Sequence, residues 1–313
     1  MKSLIKIGTR GSKLALYQAE LVRSKLKESF PLVGFELVKI KTSGDMIRRG
    51  AIGTIGPAIF TREIEDALLG GEVDLGVHSA KDLATDLPQA LEIGAVLSRE
   101  DSRDCLVACQ GQTLETLPQG ARIGTSSLRR RAQLKKLRRD LEIIEMRGNI
   151  DTRLKKIEEA SYDGMVIAYA GLKRLGLTNF VTQIFEEDQI LPQAGQGAVA
   201  VEIRANDSET LELVRSVNHE PSRVCVSAER SFLRCLEGGC QIPAGVSSKI
   251  EGNLLSLRGA IFSLEGEREF SDTTTGLVSE GEKIGAMLAQ KLLEAGGRDL
   301  LKEIRQEIMD RSK

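Results

Sequence analysis

The sequence predicts an α/β protein of more than one domain, and three observations predict it. Short runs rich in Val and Ile alternate with amphipathic stretches along the whole chain, the pattern of strands alternating with helices. The chain has 313 residues, more than one ordinary core organises and enough for two or three domains of about 100–150 residues. Hydrophobic residues at 41% and charged residues at 28%, with no low-complexity tract, place it among folded globular chains rather than disordered ones.

The elements follow in order. Residues 4–7 carry Leu4, Ile5 and Ile7 as a strand. Residues 12–28 read as a helix, with Leu14, Leu21, Val22 and Leu26 at helical spacing. A strand over 35–41, a helix over 61–69 and a buried strand over 73–77 that ends at His78 complete the first block. The charged run 99–103 and the turn-forming Gln110-Gly111 interrupt it, and a second block opens near 105–107. Its strands are expected at 122–124, 141–145 and 164–168, each followed by a helical pattern. After the glycine-bearing stretch 193–197 comes a strand over 198–203, then a helix near 222–236, a strand over 254–262 and a pair of helices from Glu280. The chain shows no internal repeat of fixed period.

Net charge and cysteines narrow the class. A formal charge of −1 gives no global attraction to nucleic acid or membrane, so an anionic ligand has to be held by local clusters. Such a cluster exists: Arg129, Arg130, Arg131, Lys135, Lys136, Arg138 and Arg139 lie within eleven residues. The first ten residues lack the long apolar core of a secretory signal, and no apolar stretch reaches the roughly 18–20 residues that cross a bilayer, so a cytoplasmic location is expected. The five cysteines, an odd number, are then expected as thiols.

Three segments share one construction, in which a strand ends, a small polar residue begins a helix and an arginine stands within reach. They are Thr9-Arg10-Gly11-Ser12, Gly124-Thr125-Ser126-Ser127-Leu128-Arg129-Arg130 and Arg147-Gly148-Asn149-Ile150-Asp151-Thr152-Arg153. Backbone N–H groups at a helix start, hydroxyls and a guanidinium together seat a carboxylate or phosphate. One such seat is an ordinary capped helix; three point to a ligand with several negative groups.

Lys81 and Asp82 stand just past the carboxyl end of the 73–77 strand, the edge where open α/β sheets bind ligands. Neighbouring cations would keep Asp82 ionised, suiting it to stabilise a developing cation or shuttle a proton, against the plainer reading of a surface ion pair. His78 reads as a structural residue. In Glu237-Gly238-Gly239-Cys240-Gln241-Ile242-Pro243 two glycines free the backbone before the thiol and a proline stiffens the exit, which makes Cys240 an accessible candidate nucleophile. Cys105, Cys109 and Cys225 read as small core hydrophobes. Cys235 lies five residues from Cys240, not a zinc spacing, and no metal site is expected.

Taken together these residues resemble the porphobilinogen deaminase family. The matching segments are I-G-T-R-G-S-K-L-A-L-Y-Q-A at 7–19, V-H-S-A-K-D at 77–82, G-T-S-S-L-R-R at 124–130, R-G-N-I-D-T-R-L at 147–154, A-Y-A-G-L-K-R-L-G-L at 168–177, A-G-Q-G-A-V-A-V-E at 194–202 and L-E-G-G-C-Q-I-P at 236–243. The resemblance implies three domains: 1–97 with 198–216, 98–197 and 217–313. The first two share a type II periplasmic-binding-protein-like topology, the first carrying the active-site cleft, and the third is a smaller α+β domain bearing the cysteine. It also implies a transferase of tetrapyrrole and heme synthesis that condenses four porphobilinogens head to tail and releases hydroxymethylbilane by hydrolysis. The implied cofactor is a dipyrromethane held as a thioether on Cys240. Asp82 matches the catalytic aspartate. Lys81, Thr125, Ser126, Ser127, Arg129, Arg130, Arg147, Gly148, Asn149, Ala168 and Gly171 match cofactor-binding positions, and Arg10, Ser12, Arg147, Arg153 and Gln196 match positions toward the substrate. Family members act as monomers with porphobilinogen as their partner, not nucleic acid or membrane.

Two departures stand out. Where the family carries a glycine loop of the form G-G-K-G-L-F, this chain reads Gly53-Thr54-Ile55-Gly56-Pro57-Ala58-Ile59-Phe60 and lacks the lysine, with Arg48, Arg49 or Arg62 as possible substitutes. Leu83-Ala84 replaces a common Val-Pro. Two other classes compete. A non-catalytic anion receptor would need the cationic seats but neither Asp82 nor a reactive thiol. A nucleic-acid binder using the 129–139 cluster would want interleaved aromatics, and aromatics total 4% with no Trp.

Overall fold

The computed structural model describes residues 2–42, 60–159, 162–237 and 242–311. The chain runs β1 (Leu4–Arg10), α1 (Lys13–Ser29), β2 (Gly34–Ile40), α2 (Arg62–Leu69), β3 (Leu75–Ser79) and β4 (Leu91–Val96). It continues with β5 (Asp104–Ala108), β6 (Arg122–Gly124), α3 (Leu128–Leu137), β7 (Glu142–Ile144), α4 (Ile150–Glu158), β8 (Gly164–Ala168), α5 (Tyr169–Arg174) and β9 (Gln183–Ile184). Then come β10 (Val199–Arg204), α6 (Ser208–Arg215), α7 (Glu220–Cys235), β11 (Ala244–Glu251), β12 (Leu254–Phe262), β13 (Glu269–Leu277), α8 (Gly281–Leu292) and α9 (Arg298–Arg311). These elements form two compact units, Met1–Glu100 with Ala198–Val226 and Asp101–Gly197 with Ser227–Lys313.

The first unit holds a five-stranded sheet in the order β2-β1-β3-β10-β4. β1 runs parallel to β2 and β3, while β10 is antiparallel to both β3 and β4. Helix α1 forms because Ser12 caps it, its Oγ accepting from the Ala15 N–H at 3.2 Å, and because one face is apolar. Ala19, Val22 and Leu26 on that face pack with Ile5, Ile7, Leu75, Val77, Val199 and Val201. Each large aliphatic side chain so buried stabilises the fold by about 1.5–3 kcal/mol. On the opposite face Ile64 and Leu68 of α2 close over Val38, Ile40 and Val73.

The second unit repeats that order in its own five-stranded sheet, β7-β6-β8-β5-β9. Here β6 is parallel to β7 and β8, and β5 is the antiparallel strand between β8 and β9. Each sheet thus has a parallel core and one antiparallel strand, β10 in the first and β5 in the second. This shared topology is type II periplasmic-binding-protein-like, and the fold class is α/β as the sequence predicts. The second unit also contains a three-stranded antiparallel meander, β11-β12-β13, against which α8 packs.

Some expectations shift. The strand expected over 73–77 is Leu75–Ser79, because Val73 still belongs to the turn leaving α2, its N–H reaching the Ala67 carbonyl at 3.3 Å. Strands β11 and β13 lack a sequence signal because β11 opens on the small residues Ala244-Gly245 and carries Ser247, Ser248 and Lys249, while β13 is mostly Ser, Asp and Thr with only Thr274 buried. Between α8 and α9 the chain kinks through Leu293–Gly297, with Gly296 at φ 120°, which separates the two expected helices.

Candidate functional site

In the first unit the site is built at the carboxyl edge of neighbouring parallel strands. β1 ends at Arg10 and β3 at Ser79, from which a 3-10 turn carries Ala80–Asp82. Two hydrogen bonds hold this edge. The Gln18 amide of α1 donates to Ser79 Oγ at 2.9 Å, and the Ala80 N–H donates to the Ala198 carbonyl at 3.0 Å. Ala80 is buried, whereas Lys81 and Asp82 are half-buried. Thr9 Oγ1 donates to the Ala15 carbonyl at 3.2 Å, fixing the start of α1 beside Arg10. The Arg10 guanidinium lies 4.2 Å from the Phe60 ring centroid, a cation–π contact at the foot of the segment leading into α2. The structure therefore brings Arg10, Ser12, Lys81 and Asp82 to one edge of one sheet. Arg48, Arg49 and the 53–59 stretch lie outside the described residues.

Behind this edge His78 points into the interior, its Nε2 3.0 Å from Glu202 Oε2, with both side chains at most 2% exposed. Glu65 is buried near the same pair, and burial, reinforced by the Glu202 charge, raises its pKa above the ordinary carboxylate value.

The second unit builds its seat at the end of β6. Gly124 packs closely there, since a Cβ would stand 2.3 Å from Met146 Cε and the methionine side chain would have to move. Ser126 donates its hydroxyl to the Met146 carbonyl at 2.8 Å, Thr125 Oγ1 accepts from the Ser127 N–H at 3.2 Å, and Ser127 caps α3. Arg129 and Arg130 then point inward from the first turn, 3% and 6% exposed. Between them stands Asp104, the first residue of β5, fully buried. Its Oδ1 accepts from Arg130 Nη2 at 2.7 Å and Nε at 3.1 Å, and Arg129 Nη1 lies 2.7 Å from Oδ2. Burial alone would raise the Asp104 pKa, but the two guanidiniums outweigh it and hold the carboxyl well below its usual range. Burial in turn lowers the pKa of Arg129, against the pull of Asp104. Gln196, also buried, donates to Asp104 Oδ1 at 2.9 Å and to the Ser102 carbonyl at 2.7 Å. Arg129 Nε and Nη2 are buried without a hydrogen-bond partner among the described residues.

The third expected seat, at α4, is more open. Arg147 is exposed and pairs with Glu145; Arg153 Nε donates to the Gly148 carbonyl at 2.7 Å. Asn149 occupies the N-cap of α4 without a side-chain capping bond. Ala168 ends β8 and Gly171 lies in the first turn of α5, both buried.

Cys240, with Gly238, Gly239 and Gln241, lies outside the described residues. Its approach is described. Helix α7 ends at Cys235, Glu237 takes a positive φ of 53°, and Arg305 of α9 donates to the carbonyls of Leu236 and Glu237 at 3.4 and 3.2 Å. Cys105 is a core thiol as expected, its pKa pushed up to about 12 by burial and by Asp104 beside it. Cys109, just past the end of β5, and Cys225, within α7, are only half-buried rather than core residues, and Cys235 is exposed. Among the described residues no group of His, Cys, Asp and Glu could hold a metal ion, and no described helix is long and apolar enough to cross a membrane.

The cationic cluster after Arg130 is engaged with the protein itself. Arg131 pairs with Glu265, Lys136 with Glu269, and Arg138 donates to the carbonyls of Leu114 and Leu117 at 2.8 and 2.9 Å. Sequence reasoning missed Asp104, whose only signal is its place at the end of the Ser102-Arg103-Asp104 run, and Glu229, hidden mid-helix in α7.

Fold and site together define an α/β protein that gathers guanidiniums and hydroxyls at strand ends, the equipment for binding carboxylates. Comparison with known proteins is more specific. A family model described as "Porphobilinogen deaminase, dipyromethane cofactor binding domain" matches residues 5–212, and one described as "Porphobilinogen deaminase, C-terminal domain" matches 223–294. The chain is 48% identical over 308 residues to the porphobilinogen deaminase of Pelotomaculum thermopropionicum, covering 98% of this chain and 99% of that one. It is 44% identical over 310 residues to that of Geobacter sulfurreducens, covering 99% and 97%. Among solved structures, a periplasmic domain of BvgS from Bordetella pertussis is similar at a TM-score of 0.43 and 12% identity, over 69% of this chain and 86% of that one. The chain belongs to the porphobilinogen deaminase family, a family of transferases with a dipyrromethane cofactor.

Proposed function

We propose that the protein converts four porphobilinogens and one water into hydroxymethylbilane and four ammonia molecules, working on a dipyrromethane primer attached to Cys240. The observation that carries this reading is Arg129, a guanidinium 3% exposed whose Nε and Nη2 have no acceptor among the described residues. Arg129 already meets Asp104 through Nη1, but each buried N–H left without an acceptor costs about 1–3 kcal/mol, and the oxygens of pyrrole acetate and propionate arms would supply the acceptors. The donor set therefore fits the cofactor. Thr125, Ser126, Ser127, Arg129, Arg130, Arg147, Gly148 and Asn149 would hold its carboxylates, with Lys81, Ala168 and Gly171 completing the seat. When bound, that group supplies the pyrrole carbon from which the chain is extended.

Arg10, Ser12, Arg147, Arg153 and Gln196 orient the acid arms of the incoming substrate, bidentate guanidinium contacts being the geometry that suits carboxylates. Asp82 accepts a hydrogen bond from the substrate pyrrole N–H at its carboxylate oxygen and offsets the positive charge that develops as ammonia leaves. The division of labour is read over three domains, 1–97 with 198–216, 98–197 and 217–313, each with its own sheet. The protein is read as a cytoplasmic monomer, for which light scattering should give a mass near 34.1 kDa.

Ammonia release with porphobilinogen tests the assignment. Wild-type protein should release one ammonia per porphobilinogen consumed, and Asp82→Asn should fall by about 100-fold or more with the fold intact. Near-normal turnover in that variant removes Asp82 from the chemistry.

A further inference from the structure

Asp104 faces two buried guanidiniums, two positive charges against its own single negative one. A structural ion pair needs one arginine, and the second is the charge left for a ligand. What fixes the pair in place is a chain of hydrogen bonds that starts on the helix leading to Cys240. Glu229 of α7 is fully buried. Its Oε1 accepts from Ser248 Oγ of β11, and its Oε2 accepts from the Gly195 N–H at 2.8 Å. Gly195 precedes Gln196, whose backbone N–H is bonded to the Gln193 carbonyl at 2.9 Å and whose side chain donates to Asp104 and accepts from Arg130 Nη2 at 3.3 Å. The same connection is held one turn earlier, where Leu191 exchanges bonds with Gln133 of α3, its N–H donating at 2.7 Å and its carbonyl accepting at 3.2 Å, and where the Val246 N–H reaches the Pro192 carbonyl at 2.9 Å.

We infer that Glu229 is a positioning residue for carboxylate binding, setting the Gly195-Gln196 turn so that Asp104 presents Arg129 and Arg130 in register with the helix that leads to Cys240. The inference rests on the reading of Arg129 and Arg130 as carboxylate seats. Its action is geometric: both Glu229 oxygens serve as acceptors for the turn and for β11, so an acceptor at the right reach is needed more than a charge. A displacement of about 1 Å in such a support costs up to about 100-fold in productive binding.

The test uses the full chain as expressed, in the variants Glu229→Gln, Glu229→Asp and Glu229→Ala. Three quantities are read: KM and kcat for porphobilinogen, the fraction of chains whose mass includes two linked pyrroles, and Tm. Glu229→Gln keeps the length and an acceptor, and should stay within about twofold of wild type in KM and in loaded fraction. Glu229→Asp keeps the charge but withdraws the acceptor by one methylene; its KM should rise about fivefold and its loaded fraction fall, with kcat per loaded chain little changed. Glu229→Ala should exceed Glu229→Asp in the same direction, and if it does not fold, the Gln and Asp variants decide. A loss of Tm with KM and loaded fraction unmoved in Glu229→Asp overturns the inference, as does Glu229→Gln behaving like Glu229→Asp. A wild-type chain that carries no pyrroles and consumes no porphobilinogen overturns the functional reading and this inference together.

Discussion

Arg130 Nη2 donates to Asp104 Oδ1 at 2.7 Å with both side chains buried, so the start of α3 is tied to the first residue of β5 across the sheet of the second unit. Removing one partner of a buried pair leaves the other uncompensated. Asp104→Asn should therefore lose about 3–5 kcal/mol of stability, read by denaturant unfolding. The pH dependence adds a second signature. Because the Asp104 pKa is lower in the folded protein than in the unfolded chain, the stability from this group is fully present above the unfolded value of about 4 and is lost as pH falls toward the lower folded value. Wild type should lose that increment on acidification, and Asp104→Asn should lack it.

Glu65 makes the opposite case. Its pKa is raised by burial, so the folded protein holds the proton more tightly than the unfolded chain. Stability from this group is then fully present below the unfolded value of about 4 and declines as pH rises through the folded one. Glu65→Gln keeps the shape without the charge. Its Tm should exceed that of wild type by a few degrees at pH 8, with the gap closing toward pH 4. An equal gap at both pH values would contradict a burial origin.

A close backbone contact tests the packing of the helix that carries Glu229. Gly285 of α8 crosses α7 so closely that a Cβ would stand 2.1 Å from the Ala228 carbonyl and 2.9 Å from the Phe232 amide nitrogen. Both are helix backbone and cannot yield cheaply. Gly285→Ala should cost about 1–3 kcal/mol in unfolding measurements, and because Ala228 immediately precedes Glu229 on α7, KM for porphobilinogen should rise with it.

Much of this was legible in the sequence, and the reason is local. The strand end at Arg10, the cap at Ser12, the turn at Lys81-Asp82 and the cap at Ser127 are written in adjacent residues, so spacing alone places them. The seven matching segments added what spacing could not: which anion the seats serve and which thiol carries it. What stayed hidden is long-range. Asp104 reads as one more charge in an acidic and basic run, and only folding brings it between two arginines from a helix some 25 residues later. Glu229 looks like an ordinary helical glutamate until α7 packs it against Gly195 and Ser248. The strands β11 and β13 were silent because small and polar residues, Ser and Thr above all, take the places of the Val and Ile that mark a strand.

The most direct test of the account is the intact mass of the purified protein, wild type beside Cys240→Ser. The account predicts a wild-type excess equal to two linked pyrroles, absent in Cys240→Ser, which should fold with a Tm close to that of wild type but not turn over. A wild-type chain at its bare sequence mass that still makes hydroxymethylbilane at full rate, or a Cys240→Ser chain that keeps both the added mass and the activity, would contradict it.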